Sequence, residues 1–201
     1  MKSLYEFIIK PVDKRYDNVK KIGENQLIVN TSIENHSFVS KRAIVISTPK
    51  AYDTPIKEGD QVIVHHNIFR RYYDMQGNEK NSGSYFKDGM YFCNMTQIYL
   101  YESTEGYKTN LNYCFVKPLQ SQDAFSLDKE IPLKGIVKYS NKQLESIGIS
   151  SGELITFTPN SEFEFYFGSE RLYCMKSNDI ALTHEYEGNE KEYNPSWANS
   201  S

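Results

Sequence analysis

The chain has 201 residues, in which 23 Lys and Arg face 26 Asp and Glu for a net charge of −3. That length suits two domains of about 100 residues, and the acidic balance argues against nucleic acid or an anionic membrane as partner. No stretch of about 18 apolar residues occurs and the Met1-Lys2-Ser3-Leu4 start lacks an apolar leader core, so a cytoplasmic chain is expected. Sixteen Tyr and eleven Phe favour half-buried pleated surfaces, and an all-β protein is expected.

Phe7-Ile8-Ile9-Lys10-Pro11 opens with a strand pattern. From Asp17 to Ser40 the chain is polar, with the aliphatic Leu27-Ile28-Val29 set between Lys20–Gln26 and Asn30–Ser32. Two readings stand open. The segment has too little apolar area to order itself, leaving the triplet for a partner's groove. Alternatively, Gln26–Thr31 is an ordinary strand whose partner holds Ile33, Phe38 and Val39. Ala43-Ile44-Val45-Ile46 is the next strand, and Ile56-Lys57-Glu58-Gly59-Asp60 a turn before the strand Gln61–Val64. In such a turn Gly reaches conformations closed to other residues, and the following carboxylate accepts local N–H groups. Adjacent His65 and His66 point to opposite faces of a strand and cannot share one metal ion there. Arg70 to Phe86, with Arg70, Tyr72, Tyr73 and Tyr85 and a turn at Met75–Asn78, reads as a ribbon. Its Arg and Tyr side chains suit a contact between chains. Glu102–Leu111 reads as a linker.

Beyond it the chain repeats itself. Cys114–Pro118 answers Phe7–Pro11 at an offset of 107, and Gly135-Ile136-Val137 answers Ala43-Ile44-Val45 at 92. Ile149–Glu153 answers Ile56–Asp60 at 93, and Tyr173–Ile180 answers Tyr91–Ile98 at 82. Four blocks in one order imply two copies of one fold, expected over residues 1–101 and 112–187, with a polar tail over 188–201. The offsets place about 15 extra residues between Pro11 and Ala43, and about 11 between Phe69 and Tyr91. Extra loops on one copy are where function is expected. In the second copy a short helix is expected near Lys142–Ser146, strands over 153–157 and 162–166, and a turn at Phe167-Gly168-Ser169. The tail is expected to be poorly ordered.

Chemistry finds few footholds. Cys93, Cys114 and Cys174 are odd in number and outside any C-x-x-C pair, so they read as core residues. There is no phosphate-binding Gly loop, nucleophile elbow or H-E-x-x-H. A protein that is not an enzyme, with no cofactor and no metal, is expected.

The blocks together resemble the GroES-type co-chaperonin family. Ile9-Lys10-Pro11-Val12-Asp13-Lys14-Arg15 resembles its opening "I-R-P-L-x-D-R", Ala43–Ile46 its "G-x-V" strand, and Ile56–Val62 its "V-K-V-G-D-x-V" block. Ser177-Asn178-Asp179-Ile180 is similar to its closing strand. The resemblance spans about 170 residues and implies two tandem GroES-like small β-barrels. It also implies that 17–40 is the family's partner loop, with Leu27, Ile28 and Val29 docking on a large chaperonin ring. Arg70, Tyr72, Tyr73 and Tyr85 would then be contacts of a homo-oligomer. The drift of the motifs fits a phage-encoded chain at work in its host's cytoplasm. The span Ser47–Pro55 is too short for the family's roof hairpin, so a closed dome is not expected. A competing expectation is a structural protein, such as a virion component, built from the same units.

Overall fold

The computed structural model describes residues 2–16, 19–22, 25–28, 39–121, 129–167, 170–185, 188 and 191–192, with 19–22 and 25–28 described by backbone alone. The chain divides into two compact units, Met1–Tyr107 and Lys108–Ser201. Both are built from strands, with one short helix among the described residues.

In chain order the first ten strands are β1 (Phe7–Pro11), β2 (Val19–Ile22), β3 (Asn25–Ile28), β4 (Arg42–Ser47), β5 (Gln61–Val64), β6 (Arg71–Tyr73), β7 (Glu79–Asn81), β8 (Tyr91–Cys93), β9 (Ile98–Ser103) and β10 (Gly106–Thr109). Six of them form a sheet ordered β10-β9-β5-β4-β1-β8, while among the described residues β2 and β3, like β6 and β7, form separate two-stranded sheets. After these come β11 (Tyr113–Gln120), β12 (Glu130–Tyr139), helix α1 (Lys142–Glu145), β13 (Leu154–Phe157), β14 (Phe163–Phe167), β15 (Glu170–Lys176) and β16 (Ile180–His184). Their sheet runs β14-β15-β11-β12-β13-β16. Neither sheet closes into a barrel among the described residues.

Five strands keep one order in both sheets: β8-β1-β4-β5-β9 in the first and β15-β11-β12-β13-β16 in the second. The match extends to single residue pairs. Ile9 faces Val45 and Val116 faces Val137; Phe7 faces Cys93 and Cys114 faces Met175. Arg42 faces Ile63 as Lys134 faces Thr156, and Val62 faces Tyr101 as Ile155 faces Thr183. Bulges recur at Ile8/Ile9 and Phe115/Val116, then at Ile63/Val64 and Thr156/Phe157. All of these pairs are related by the four sequence offsets.

The glycine turns match as well. Gly59 and Gly152 have φ of +93° and +96°, a region that other residues seldom enter. Gly59 N–H donates to the Val45 carbonyl and Gly152 N–H to the Val137 carbonyl, each at 2.8 Å. Asp60 accepts from the Lys57 N–H at 2.7 Å, the local bond expected of a carboxylate there. The apolar residue opening each turn, Ile56 or Ile149, is buried in its own core.

Each sheet carries one main core cluster, and the second unit has a further buried cluster of Leu119, Ile136 and Leu154. Phe7, Ile9, Val45, Val62, Val64 and Cys93 pack in the first; Cys114, Val116, Val137, Ile155, Phe157 and Met175 pack in the second. Large and small residues trade places across a pair: Phe7 opposes Cys93, whereas Cys114 opposes Met175. All three cysteines are free and buried. Burial pushes the Cys114 thiol up to about 12, so it behaves as a small apolar residue.

Two expectations need correction. Glu102–Leu111 is not a bare linker, because β9 and β10 form a hairpin through it. The Ser103 hydroxyl donates to the Gly106 carbonyl at 2.9 Å and Gly106 turns at φ +105°, so polar residues make a turn rather than a tether. The tail also has an attachment. Gln120 N–H donates to the Lys191 carbonyl at 2.8 Å, and Glu192 reaches Lys117 at 2.6 Å. Residues 193–201 lie outside the described residues, as do Gly168 and Ser169 of the expected turn.

Candidate functional site

The two extra segments of the first unit share one root. The first leaves the sheet at Tyr16 and returns at Val39, which pair as an isolated antiparallel bridge. Both are core residues, with Tyr16 5% and Val39 3% exposed. Ser40 N–H donates to the Arg15 carbonyl at 3.0 Å and closes the stalk. Val39 has Tyr16 as its bridge partner, and its side chain completes the core. Above the stalk, β2 and β3 form a hairpin of their own in which Val19 faces Ile28 and Lys20 faces Leu27. Val29, Asn30–Phe38 and Asp17 lie outside the described residues.

The second segment begins on the same stalk. Tyr16 Oη accepts from the Arg71 N–H at 2.8 Å, and the Arg71 guanidinium lies over the Tyr16 ring at 4.6 Å. Arg15 reaches the other way. Its Nε donates to the Phe69 carbonyl, one Nη to the Arg70 carbonyl at 2.9 Å, and the other to Asn81 Oδ1 at 2.6 Å. Its guanidinium also sits 5.4 Å from the centre of the Tyr91 ring. One planar cation thus holds both ends of the β6-β7 ribbon, a fork that Lys cannot copy. Burial lowers the Arg15 pKa from its ordinary value, against the pull of Tyr91. Burial also opposes the charge on Arg71, but Glu79 at 2.8 Å outweighs it and the pKa is raised.

The ribbon is short. Arg71–Tyr73 pairs with Glu79–Asn81, and Asp74 organises the turn between them. The Asp74 carboxylate accepts from the N–H groups of Gln76 and Asn78, each at 2.9 Å, and those bonds hold its pKa down. Farther along, Tyr85 pairs with Tyr91 and stacks edge-on at 5.4 Å. Tyr72, Tyr73 and Tyr85 are 47%, 51% and 37% exposed, and Met75 and Phe86 stand out beside them. Arg70 gives its carbonyl to Arg15, while its own Nε is buried without a hydrogen-bond partner. Of the residues singled out for chain–chain contact, Arg70, Tyr72 and Tyr73 thus belong to the β6-β7 ribbon and its root, whereas Tyr85 lies beyond it against Tyr91.

In the second unit a guanidinium again covers the matching tyrosine, but from another strand. Arg171 lies 5.0 Å from the Tyr173 ring centre, bonds Glu164 at 2.6 Å and Glu130 at 2.7 Å, and so ties β14 to β12 across β15. Tyr173 Oη donates to Glu130 at 2.5 Å. Arg15 and Arg171 occupy unrelated sequence positions, so no motif search would pair them.

His65 and His66 stack at 4.4 Å in place of facing apart, because the strand ends at Val64 and His65 caps a 3-10 turn over His66–Ile68. His65 Nδ1 accepts from the Asn67 N–H at 3.1 Å, which requires the neutral ring. Burial and then Lys41 lower its pKa, in the same sense. Among the described residues no group of three or more His, Cys, Asp or Glu could hold a metal ion. A cleft of about 640 Å³ lies in the second unit between Ile147–Ile149, Gly152-Glu153 and Thr183–Glu185. His184 in its lining lies with Nε2 2.7 Å from Thr156 Oγ1. Compared with models of protein families and with curated proteins, the chain finds a match in neither.

Proposed function

We propose that this chain is a divergent co-chaperonin-like protein made of two tandem GroES-like units. It assembles as a homo-oligomer and binds a large chaperonin ring through Leu27, Ile28 and Val29. The carrying observation is the place of the β2-β3 hairpin. It interrupts the connection between β1 and β4, the segment that carries the partner loop in the family, and among the described residues it pairs with itself alone. The matching connection from β11 to β12 is shorter by about 15 residues. A self-paired arm on a buried stalk suits reversible docking, since the sheet beneath it need not change.

The test replaces Leu27, Ile28 and Val29 together by Ser. The proposal requires these side chains to lie outside a core, so folding is expected to be retained, since exposed substitutions move stability by no more than about 0.5 kcal/mol. ATP-dependent co-sedimentation with a large chaperonin is lost. Unfolding of the triple variant, or undiminished co-sedimentation, refutes the proposal.

The exposed Tyr72, Tyr73, Met75, Tyr85 and Phe86 favour a second reading, a structural protein of a virion or other assembly with the ribbon as subunit contact. Co-purification with assembled particles, lost on replacing the three tyrosines by Ser, supports it over the first.

A further inference from the structure

β9 and β16 hold matching places in their sheets, and Tyr101 faces Val62 as Thr183 faces Ile155. Residues directly opposite on an antiparallel pair share a sheet face. Tyr101 therefore stands on the side of Val62 and Thr183 on that of Ile155, each a member of the main core cluster of its unit. The Tyr101 ring packs against the first core. Thr183 has no ring to do the same and is exposed. The difference runs along the strand, for Ile98, Tyr99 and Leu100 are buried, whereas Ala181 is exposed and Leu182 is 59% exposed.

The cleft of the second unit opens where that ring is missing. Thr183 lines it together with Ile149, a core residue, and Ile147, which is 68% exposed. Its size falls in the range of pockets that enclose a ligand. Glu153 and Glu185 add two carboxylates to the lining, and no Lys or Arg pairs with either among the described residues. Such a cleft suits an aromatic ring that arrives with a cation. The ribbon of the first unit carries both. Tyr72 is 47% exposed, and Arg70, two residues before it, has a buried Nε without a hydrogen-bond partner and no carboxylate against it among the described residues. Arg71 is committed elsewhere, to Tyr16 and Glu79. Alternate residues of an extended chain point to one side, so the ribbon presents Tyr72 with Arg70 and not with Arg71.

We infer that a second copy of this chain docks its ribbon in this cleft, with Tyr72 over Ile149 and Thr183 and Arg70 against Glu153 and Glu185. Tyrosine is a favoured anchor at the centre of interfaces. Here it gives the second core the cover that Tyr101 gives the first, and the unpaired cation meets the unpaired carboxylates. The contact is heterologous, ribbon to cleft, so a pair of copies still offers one free ribbon and one free cleft, and assembly continues until a ring closes.

This inference rests on the homo-oligomer of the proposed function and names the surface that receives the ribbon. Its test is sedimentation mass across the micromolar range, with urea unfolding of each variant to verify its fold. Tyr72→Ser removes the ring, and Thr183→Tyr fills the cleft from within. Each variant is expected to stay folded and to associate about tenfold or more weakly than the wild type. Mixed in equal amounts, the first still offers an intact cleft and the second an intact ribbon, so the mixture forms a dimer that grows no further. Should Thr183→Tyr fail to fold, Glu153→Lys together with Glu185→Lys takes its place as the blocked cleft. Undiminished association of either folded variant, or a mixture that stays monomeric, overturns the inference and leaves the homo-oligomer standing. A wild type that is monomeric at every concentration overturns both. Failure to bind a chaperonin changes none of these readouts.

Discussion

Exchanging one facing pair between the two cores tests whether the matched ladders are equivalent in energy as well as in register. Phe7 and Cys93 are opposed and wholly buried, and the pair at the same place in the second sheet is Cys114 and Met175. Phe7→Cys opens a cavity: Phe→Ala in a core costs about 3–5 kcal/mol, and the retained sulfur brings this to about 2–4. Cys93→Met crowds the same space and costs about 1–3 kcal/mol. Were the positions independent, the double variant would lose about 3–7 kcal/mol, enough to unfold many domains. Because the longer side chain introduced by Cys93→Met would occupy the space left by the Phe7 ring, the double variant is expected to lose about 2 kcal/mol less than the sum, within the coupling range of touching residues. Equilibrium urea unfolding of the four proteins gives the cycle, and amide exchange at β1 and β8 assigns the change to the first unit. A coupling below about 0.5 kcal/mol refutes the reasoning, since each position would then be solving its own packing problem.

Two further outcomes follow from single contacts. Gly135→Ala places a Cβ 2.4 Å from Val116 Cγ1 and 2.5 Å from the Lys117 carbonyl oxygen, so backbone must move. A loss of about 1–3 kcal/mol is expected in urea unfolding although Ala43 stands at the matching position of the first sheet, and a neutral result would show that the β11-β12 approach relaxes freely. Arg15→Lys removes the fork that holds the carbonyls of Phe69 and Arg70, at about 1.5–3 kcal/mol. Limited proteolysis should then cut first within residues 70–86, and cleavage elsewhere with that ribbon intact would contradict the root described for it.

Local signals and long-range contacts are unequally legible in the sequence. The turns at Gly59 and Gly152 can be read because their causes lie within five residues: a Gly for positive φ, an acidic neighbour, and an apolar strand directly after. The helix at Lys142–Glu145 is legible for a similar reason, since Asn141 caps it through Leu144 N–H at 3.0 Å. Glu102–Leu111 misleads because polar residues serve a hairpin turn as well as a tether. The root of the arms is invisible. Arg15 meets residues 54 to 66 positions away, and nothing near Arg15 in the chain announces a carbonyl of Phe69 or an amide of Asn81. Val39 reads as part of a local strand because its partners in the core come from distant strands.

A backbone ladder takes little notice of which side chains it carries, and a core takes notice mainly of their combined bulk. Position by position, Phe7 and Cys114 are unlike, and so are Cys93 and Met175; taken across the sheet, each couple still fills its layer. The unit of packing in such a sheet is then the rung, in which two sites can exchange size while the backbone pairing between them stays put. Likeness between the halves is accordingly held at the glycine turns, where the backbone dictates the residue, and loosens at rungs such as Phe7 with Cys93, where only the sum is held.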